Sequence, residues 1–150
     1  MAKLNLKQAT QSALFDYAVP IRIYFEDTDA GGVVYHAQYV KFLERARTEW
    51  LRSLGYSNTE LEQQHGVLFI VSEIAVQFLR PARLDELIEV SVVVTELTRV
   101  RGIFSQEIRR GEELLLTARI TVATVNAKTL KPCEMPPELK RKMAATQQSL

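Results

Sequence analysis

The sequence predicts an α+β domain in which one long amphipathic helix lies against a single antiparallel sheet. Three observations carry this. Residues 37–54 have helical periodicity with a broad apolar stripe, and most of the chain beyond residue 67 alternates with the two-residue period of strands. Glycine, proline or charged turns separate those strands. Five or so strands around one buried helix would cover both the aromatic stripe and the alternating valines. The 150 residues, 47% of them hydrophobic, suit one domain spanning 1–150 with a real core. Neither an internal repeat nor a linker-like stretch divides it. The polar ends, residues 1–16 and 141–150, are expected to fray.

Taken in order, the first element is a short strand at 19–25, where Val19, Ile21, Ile23 and Phe25 alternate with Pro20, Arg22 and Tyr24. A loop rich in carboxylates and glycine follows, EDTDAGGVVYHAQ. Tyr39, Phe42, Leu43, Ala46, Trp50 and Leu54 then share one helical face, with Lys41, Arg45, Thr48 and Arg52 on another. Gly55 is placed to end that helix. A shorter helix is expected at 58–64, capped by Ser57 or Asn58. Residues 68–79 form a long strand stopped at Arg80-Pro81. Strands at 87–97 and 102–109 are joined by a tight turn, and Gly111-Glu112 turns the chain into a last strand at 114–125. Pro136 opens a final helical turn at 136–142. Val71, Ala75, Leu115 and Ala123 give the other face of the sheet an apolar component, as a dimerising sheet would show.

Nineteen basic and eighteen acidic residues leave a net charge of +1, which argues against a nucleic-acid partner. Arg99 with Arg101, and Arg109 with Arg110, are local basic clusters of the kind that sit on solvated turns or meet an anionic ligand. The single cysteine, Cys133, excludes an internal disulfide and fits a reducing compartment. The N-terminus lacks the pattern of a signal peptide, and no apolar run approaches the roughly 20 residues that span a bilayer. The expected location is the cytoplasm, with peripheral attachment to the inner membrane as an alternative.

The chemistry is concentrated in residues 26–36, which pack three carboxylates, two adjacent glycines and a histidine before a helix. A calcium loop fails on register, since Gly31 sits where a ligand is needed and Gln38 replaces the terminal glutamate. A phosphate loop fails because the carboxylates would repel the anion and the P-loop Lys and Ser/Thr are missing. Spacing leaves two readings open. In one, a polar turn joins strand to helix, with Gly31 and Gly32 supplying positive φ. In the other, a carboxylate beside a helix N-terminus acts on a carbonyl polarised by unpaired N–H groups, because no Ser, Thr, Asp or Asn caps the helix start.

The run YFEDTDAGGVVYHAQYVKFLERARTEWLRSLG, together with FLRPARLDELIEV, strongly resembles hotdog-fold thioesterases related to 4-hydroxybenzoyl-CoA thioesterase. Within them it is similar to the acyl-CoA thioesterases associated with the bacterial Tol–Pal cell-envelope system, over residues 18–140. The resemblance implies a hotdog fold, one long helix wrapped by a five-stranded antiparallel sheet. It implies hydrolysis of an acyl-CoA or acyl-carrier-protein thioester, with no cofactor beyond the CoA of the substrate and no metal. Asp29 matches the catalytic carboxylate, and His36, seven residues on, matches the position whose backbone N–H meets the thioester carbonyl. Asp27 is expected to shape the loop. Tyr35 is expected to line the acyl pocket, and Gly31 and Gly32 to let substrate approach closely. Arg80 and Arg101, with Arg83 and Arg99 beside them, are the candidates for the CoA phosphates. Trp50, Leu68, Phe69 and Val71 suggest an apolar pocket wall, and Glu44 and Arg47 are expected to pair on the helix surface. A homodimer is the implied minimal unit, with a homotetramer beyond it. The rival reading is a non-catalytic acyl-CoA or acyl-carrier-protein binding module of a cell-envelope complex.

Overall fold

The computed structural model describes residues 17–149; the expected fraying of 1–16 lies outside them. The long helix, α1 (Gln38–Ser53), buries Tyr39, Phe42, Leu43, Ala46, Trp50 and Leu51. These positions recur every three to four residues, so they form one stripe, and each large side chain removed from water contributes about 1.5–3 kcal/mol. Gly55 follows with φ +92°, a backbone that only glycine adopts without strain, and its N–H closes on the Arg52 carbonyl. Helix α2 (Asn58–His65) begins where the Ser57 hydroxyl accepts the Glu60 N–H.

Among the described residues six strands form one antiparallel sheet: β1 (Ala18–Arg22), β2 (Val67–Phe78), β3 (Leu87–Ser91), β4 (Val93–Leu97), β5 (Arg101–Arg110) and β6 (Glu113–Asn126). Their spatial order is β1-β3-β5-β6-β2, with β4 also paired to β5. The predicted strand at 87–97 is thus present but broken at Val92, whose N–H turns to the Tyr17 carbonyl. Counted as one interrupted strand, β3 and β4 give the five-stranded hotdog arrangement.

The break has a polar cause. Opposite it, the Ser91 hydroxyl accepts the Glu107 N–H at 2.9 Å, a place a strand partner would fill. Gln106, fully buried, donates to the Ser91 carbonyl on β3 and to the Leu43 carbonyl on α1. Its own oxygen accepts Arg47 Nη1 at 2.8 Å. Arg47 therefore turns inward, and burial pushes its guanidinium below the usual range. The expected surface pair of Glu44 with Arg47 is corrected: Glu44 accepts the Thr48 hydroxyl instead.

Two more expectations need correcting. The first strand stops at Arg22, and Phe25 joins a single 3-10 turn, Phe25–Asp27, where it is 80% exposed. The Asp27 carboxylate causes this by accepting the Tyr24 N–H. The C-terminal turn is a full helix, α3 (Pro137–Thr146), rather than frayed from 141, because Leu139 and Met143 are buried in the core. Beyond it the Gln148 N–H still pairs with the Val94 carbonyl.

One edge of the sheet is incompletely covered. In β2 the register slips by one residue at Ser72, so Val71 and Ile74 both face inward, opposite Val122 and Ile120. Helix α1 lies nearest β1 and β3, and Val71, Ile74 and Phe78 stay 40%, 40% and 54% exposed. Val71 is thus on the helix side of the sheet, not on the outer face the unbroken alternation suggested.

Candidate active site

The loop between β1 and α1 is a small hairpin. Thr28 bridges Val34, the Asp29 N–H donates to the Val33 carbonyl and the Tyr35 N–H to the Asp27 carbonyl. Gly32 takes φ +80° at its tip and donates back to the Asp29 carbonyl. Gly31 needs no such backbone, which corrects the expectation that both glycines supply positive φ. Its N–H instead donates to Asp29 Oδ1 at 2.8 Å, and a Cβ there would stand 3.2 Å from the same oxygen. The Asp29 carboxylate is exposed, with one oxygen oriented by backbone and Oδ2 left without a protein partner among the described residues.

Asp27 plays a different part. It is 4% exposed, with Oδ2 accepting the Tyr24 N–H and Oδ1 accepting the Gln38 side-chain amide, both at 2.8 Å. It ties the end of β1 to the first residue of α1. Gln38 was not foreseen as part of this arrangement; a polar side chain at a helix start opposite an aspartate was the available signal.

Helix α1 starts without a side-chain cap and without an acid in its first turn. The Gln38 N–H closes on Tyr35, but the N–H groups of His36 and Ala37 make no hydrogen bond among the described residues. Unpaired donors at a helix start, reinforced by the helix dipole, favour a negatively charged oxygen. The exposed rings of Tyr35 and His36 lie 4.6 Å apart, tilted by 52°. Beside them a shallow cleft of about 250 Å³ is lined by Val34, His36, Tyr39, Phe78, Leu79, Arg80 and Pro81.

The cleft wall belongs to the strap between β2 and β3, residues 79–86. Val34 donates to the Ala82 carbonyl, Val33 bridges Arg83, and the Ala82 N–H donates to the buried Tyr39 hydroxyl at 2.9 Å. Burial raises the Tyr39 phenol above its ordinary value. Arg80 reaches this neighbourhood but pairs with Glu113 at 3.0 Å. Arg101 sits at the opposite end of β5 from Arg110, roughly 30 Å away at about 3.4 Å per residue, and joins no site with Asp29 within one chain. Arg99 pairs with Glu134 there.

The foreseen apolar wall is real but separate. Trp50, Phe69 and Val71, without Leu68, line a 110 Å³ pocket with Leu51, Phe104 and Val122, and Glu44, Arg47, Thr48 and Asn58 complete it. Trp50 lies fourteen residues beyond His36, roughly 21 Å along the helix. Among the described residues no group of three His, Cys, Asp or Glu side chains could hold a metal ion, and no helix is long and apolar enough to cross a membrane.

Comparison with known proteins gives the family. Residues 23–143 match the family model described as the thioesterase-like superfamily. The chain is 46% identical over 121 residues to the acyl-CoA thioester hydrolase YbgC of Escherichia coli O6:H1, covering 78% of this chain and 87% of that one. It is 40% identical over 124 residues to the acyl-CoA thioesterase YbgC of Haemophilus influenzae, covering 83% and 91%. The crystal structure of a probable thioesterase from Bartonella henselae superposes with a TM-score of 0.77 at 37% identity, over 80% of this chain and 98% of that one.

Proposed function

The chain belongs to the thioesterase-like superfamily, and from that membership we propose how it hydrolyses acyl-CoA thioesters. The observation that carries the mechanism is the juxtaposition, in one small hairpin, of an exposed oriented carboxylate and a helix start with unpaired donors. The thioester carbonyl lies over the start of α1, where the N–H groups of His36 and Ala37 stabilise the oxyanion that develops as the carbonyl carbon becomes tetrahedral. Gly31 holds Asp29 Oδ1, leaving Oδ2 to act. Oδ2 either takes a proton from an attacking water or attacks the carbon itself, giving an anhydride that water then opens. Both routes consume one water and release a carboxylic acid and the CoA thiol. Tyr35 and the apolar cleft beside His36 hold the first carbons of the acyl group, and Gly32 keeps the approach open. An acyl-carrier-protein thioester presents the same reacting atoms.

The working unit in this reading is a homodimer joined along β2. That strand is a sheet edge of twelve residues with Ile70, Val71, Ile74 and Phe78 each at least 40% exposed, and an edge of that length and apolarity calls for pairing. Two such edges would continue one sheet through both copies and cover the inner apolar face. The partner's elements would then complete the acyl pocket. Ile74→Lys is expected to leave a monomer by size-exclusion chromatography with light scattering.

The first experiment is release of free thiol from a panel of acyl-CoAs, acetyl to palmitoyl with benzoyl included, comparing the native chain with Asp29→Ala. Turnover that collapses in the variant supports the carboxylate, and the chain-length profile measures the pocket. A folded native chain that binds acyl-CoA without turnover would move the reading to a binding module.

A further inference from the structure

The strap that walls the cleft is held at its ends by backbone pairs with Leu115 and Ile23, and at its middle by a side chain that the mechanism above does not use. Arg110, the last residue of β5, reaches the strap at Pro81, one residue before the pair that the strap makes with the catalytic hairpin. Its Nη1 donates to the Pro81 carbonyl at 3.1 Å and to Glu86 Oε1 at 2.7 Å. Its Nε and Nη2 both donate to Glu113 Oε1, at 3.0 and 2.6 Å. These hydrogen bonds, to Glu113 first and then Glu86, hold the guanidinium above its usual range.

Each partner leads toward the site. Glu86 Oε1 also accepts the Arg83 N–H, so Arg110 and the strap backbone share one carboxylate oxygen. Glu113 also accepts Arg80, which lines the cleft. Between these two anchored ends lie Ala82 and Arg83, whose backbones pair with Val34 and Val33. Val33 in turn accepts the Asp29 N–H. The path from Arg110 to the Asp29 backbone therefore crosses the strap and one hairpin pair. It needs no contact between Arg110 and substrate.

We propose that Arg110 is a positioning residue for thioester hydrolysis, setting the strap against the catalytic hairpin and so fixing both Asp29 and the cleft wall. This rests on Asp29 being the reacting carboxylate. A planar fork suits the task because one guanidinium reaches two carboxylates and a carbonyl in fixed directions; a lysine ammonium cannot hold all three in plane. Displacing a reacting group by about 1 Å is enough to lower turnover on the order of 100-fold.

The test measures kcat, KM and thermal melting for Arg110→Met, Arg110→Lys and Glu86→Gln, with Arg119→Met as a control that removes an exposed pair with Glu96 on the same sheet. Arg110→Met is expected to lower kcat between 10- and 100-fold while KM moves less than about 3-fold, with part of the loss recovered in Arg110→Lys. Arg119→Met keeps native kcat. Glu86→Gln, which keeps the acceptor for Arg83, carries the test if Arg110→Met fails to fold, and is expected to lower kcat about 3- to 10-fold. Variants that melt earlier but turn over at the native kcat per folded site would overturn the proposal, as would an equal loss in Arg119→Met. Asp29→Ala, run alongside, separates the two readings. If it retains turnover, the site assignment itself fails; if it is inactive while Arg110→Met is native-like, only the positioning role fails.

Discussion

The polar groups around Gln106 and those around Asp29 are built in opposite ways. Around Gln106 the polar atoms are paired: the buried amide bridges β3 and α1, and the half-buried Arg47 guanidinium closes on it. Around Asp29 the carboxylate is exposed, one oxygen is oriented by Gly31, and the donors at His36 and Ala37 face no protein partner among the described residues. A satisfied buried network specifies a fold, whereas unpaired groups held in place by satisfied neighbours are available for chemistry. Asp27 belongs to the first kind although it stands two residues from Asp29. Nearness in sequence does not assign a role; the count of partners does.

The contrast can be broken by showing that either centre does the other's work. The largest effect is expected from Asp29→Asn, which should lower kcat roughly 100- to 10,000-fold while leaving the melting temperature within about 2 °C. A large loss of stability with activity intact would reverse the comparison. Gln106→Leu is the mirror image. It leaves the Leu43 and Ser91 carbonyls and the Arg47 guanidinium without their partner, a cost of about 3 kcal/mol, or roughly 6–12 °C in melting for a chain of this size. The surviving folded fraction should retain substrate affinity.

Asp27→Asn sharpens the boundary between the two. An amide cannot accept from both Tyr24 and Gln38 as a carboxylate does, so about 1–3 kcal/mol is expected from chemical denaturation, with a kcat loss of roughly 10-fold as the hairpin loosens. The smallest effect concerns pH. Arg110, through its hydrogen bonds, holds the Glu113 carboxyl below its ordinary value of 4.5. A depressed acid contributes stability that is fully present above its unfolded pKa and lost as pH falls through the folded one. Acid melts below about pH 4.5 should therefore be shallower in Glu113→Gln than in the native chain, and a parallel pair of curves would show that this half-buried cluster is not linked to folding.

The sequence carried the elements well because each depends on neighbours along the chain. The apolar stripe of α1, the Ser57 cap and the alternation in β5 and β6 are local patterns, and the structure places their limits within a residue or two. The loop from Glu26 to His36 is legible as a candidate site because its residues are contiguous and its motif is specific. What stayed hidden depends on distance in sequence. Gln106 meets Leu43 across 63 positions and Arg47 across 59, and no period along the chain announces either. Arg110 reads from the sequence as half of a basic pair because the strap carbonyl it holds, that of Pro81, lies 29 residues earlier. The slip at Ser72 similarly turns Val71 to the helix side, which a strict two-residue alternation cannot anticipate.

Gly31 has a consequence for anyone wishing to tune the enzyme rather than disable it. Its backbone is ordinary, so alanine is tolerated conformationally, yet the added methyl would press on Asp29 Oδ1 from 3.2 Å. The carboxylate stays in place chemically but must yield by a few tenths of an ångström. Position 31 is therefore a throttle on the proposed site: a single methyl there shortens no side chain and removes no charge, and in the mechanism proposed above Gly31→Ala is expected to lower turnover in a small step, read as kcat against the native chain.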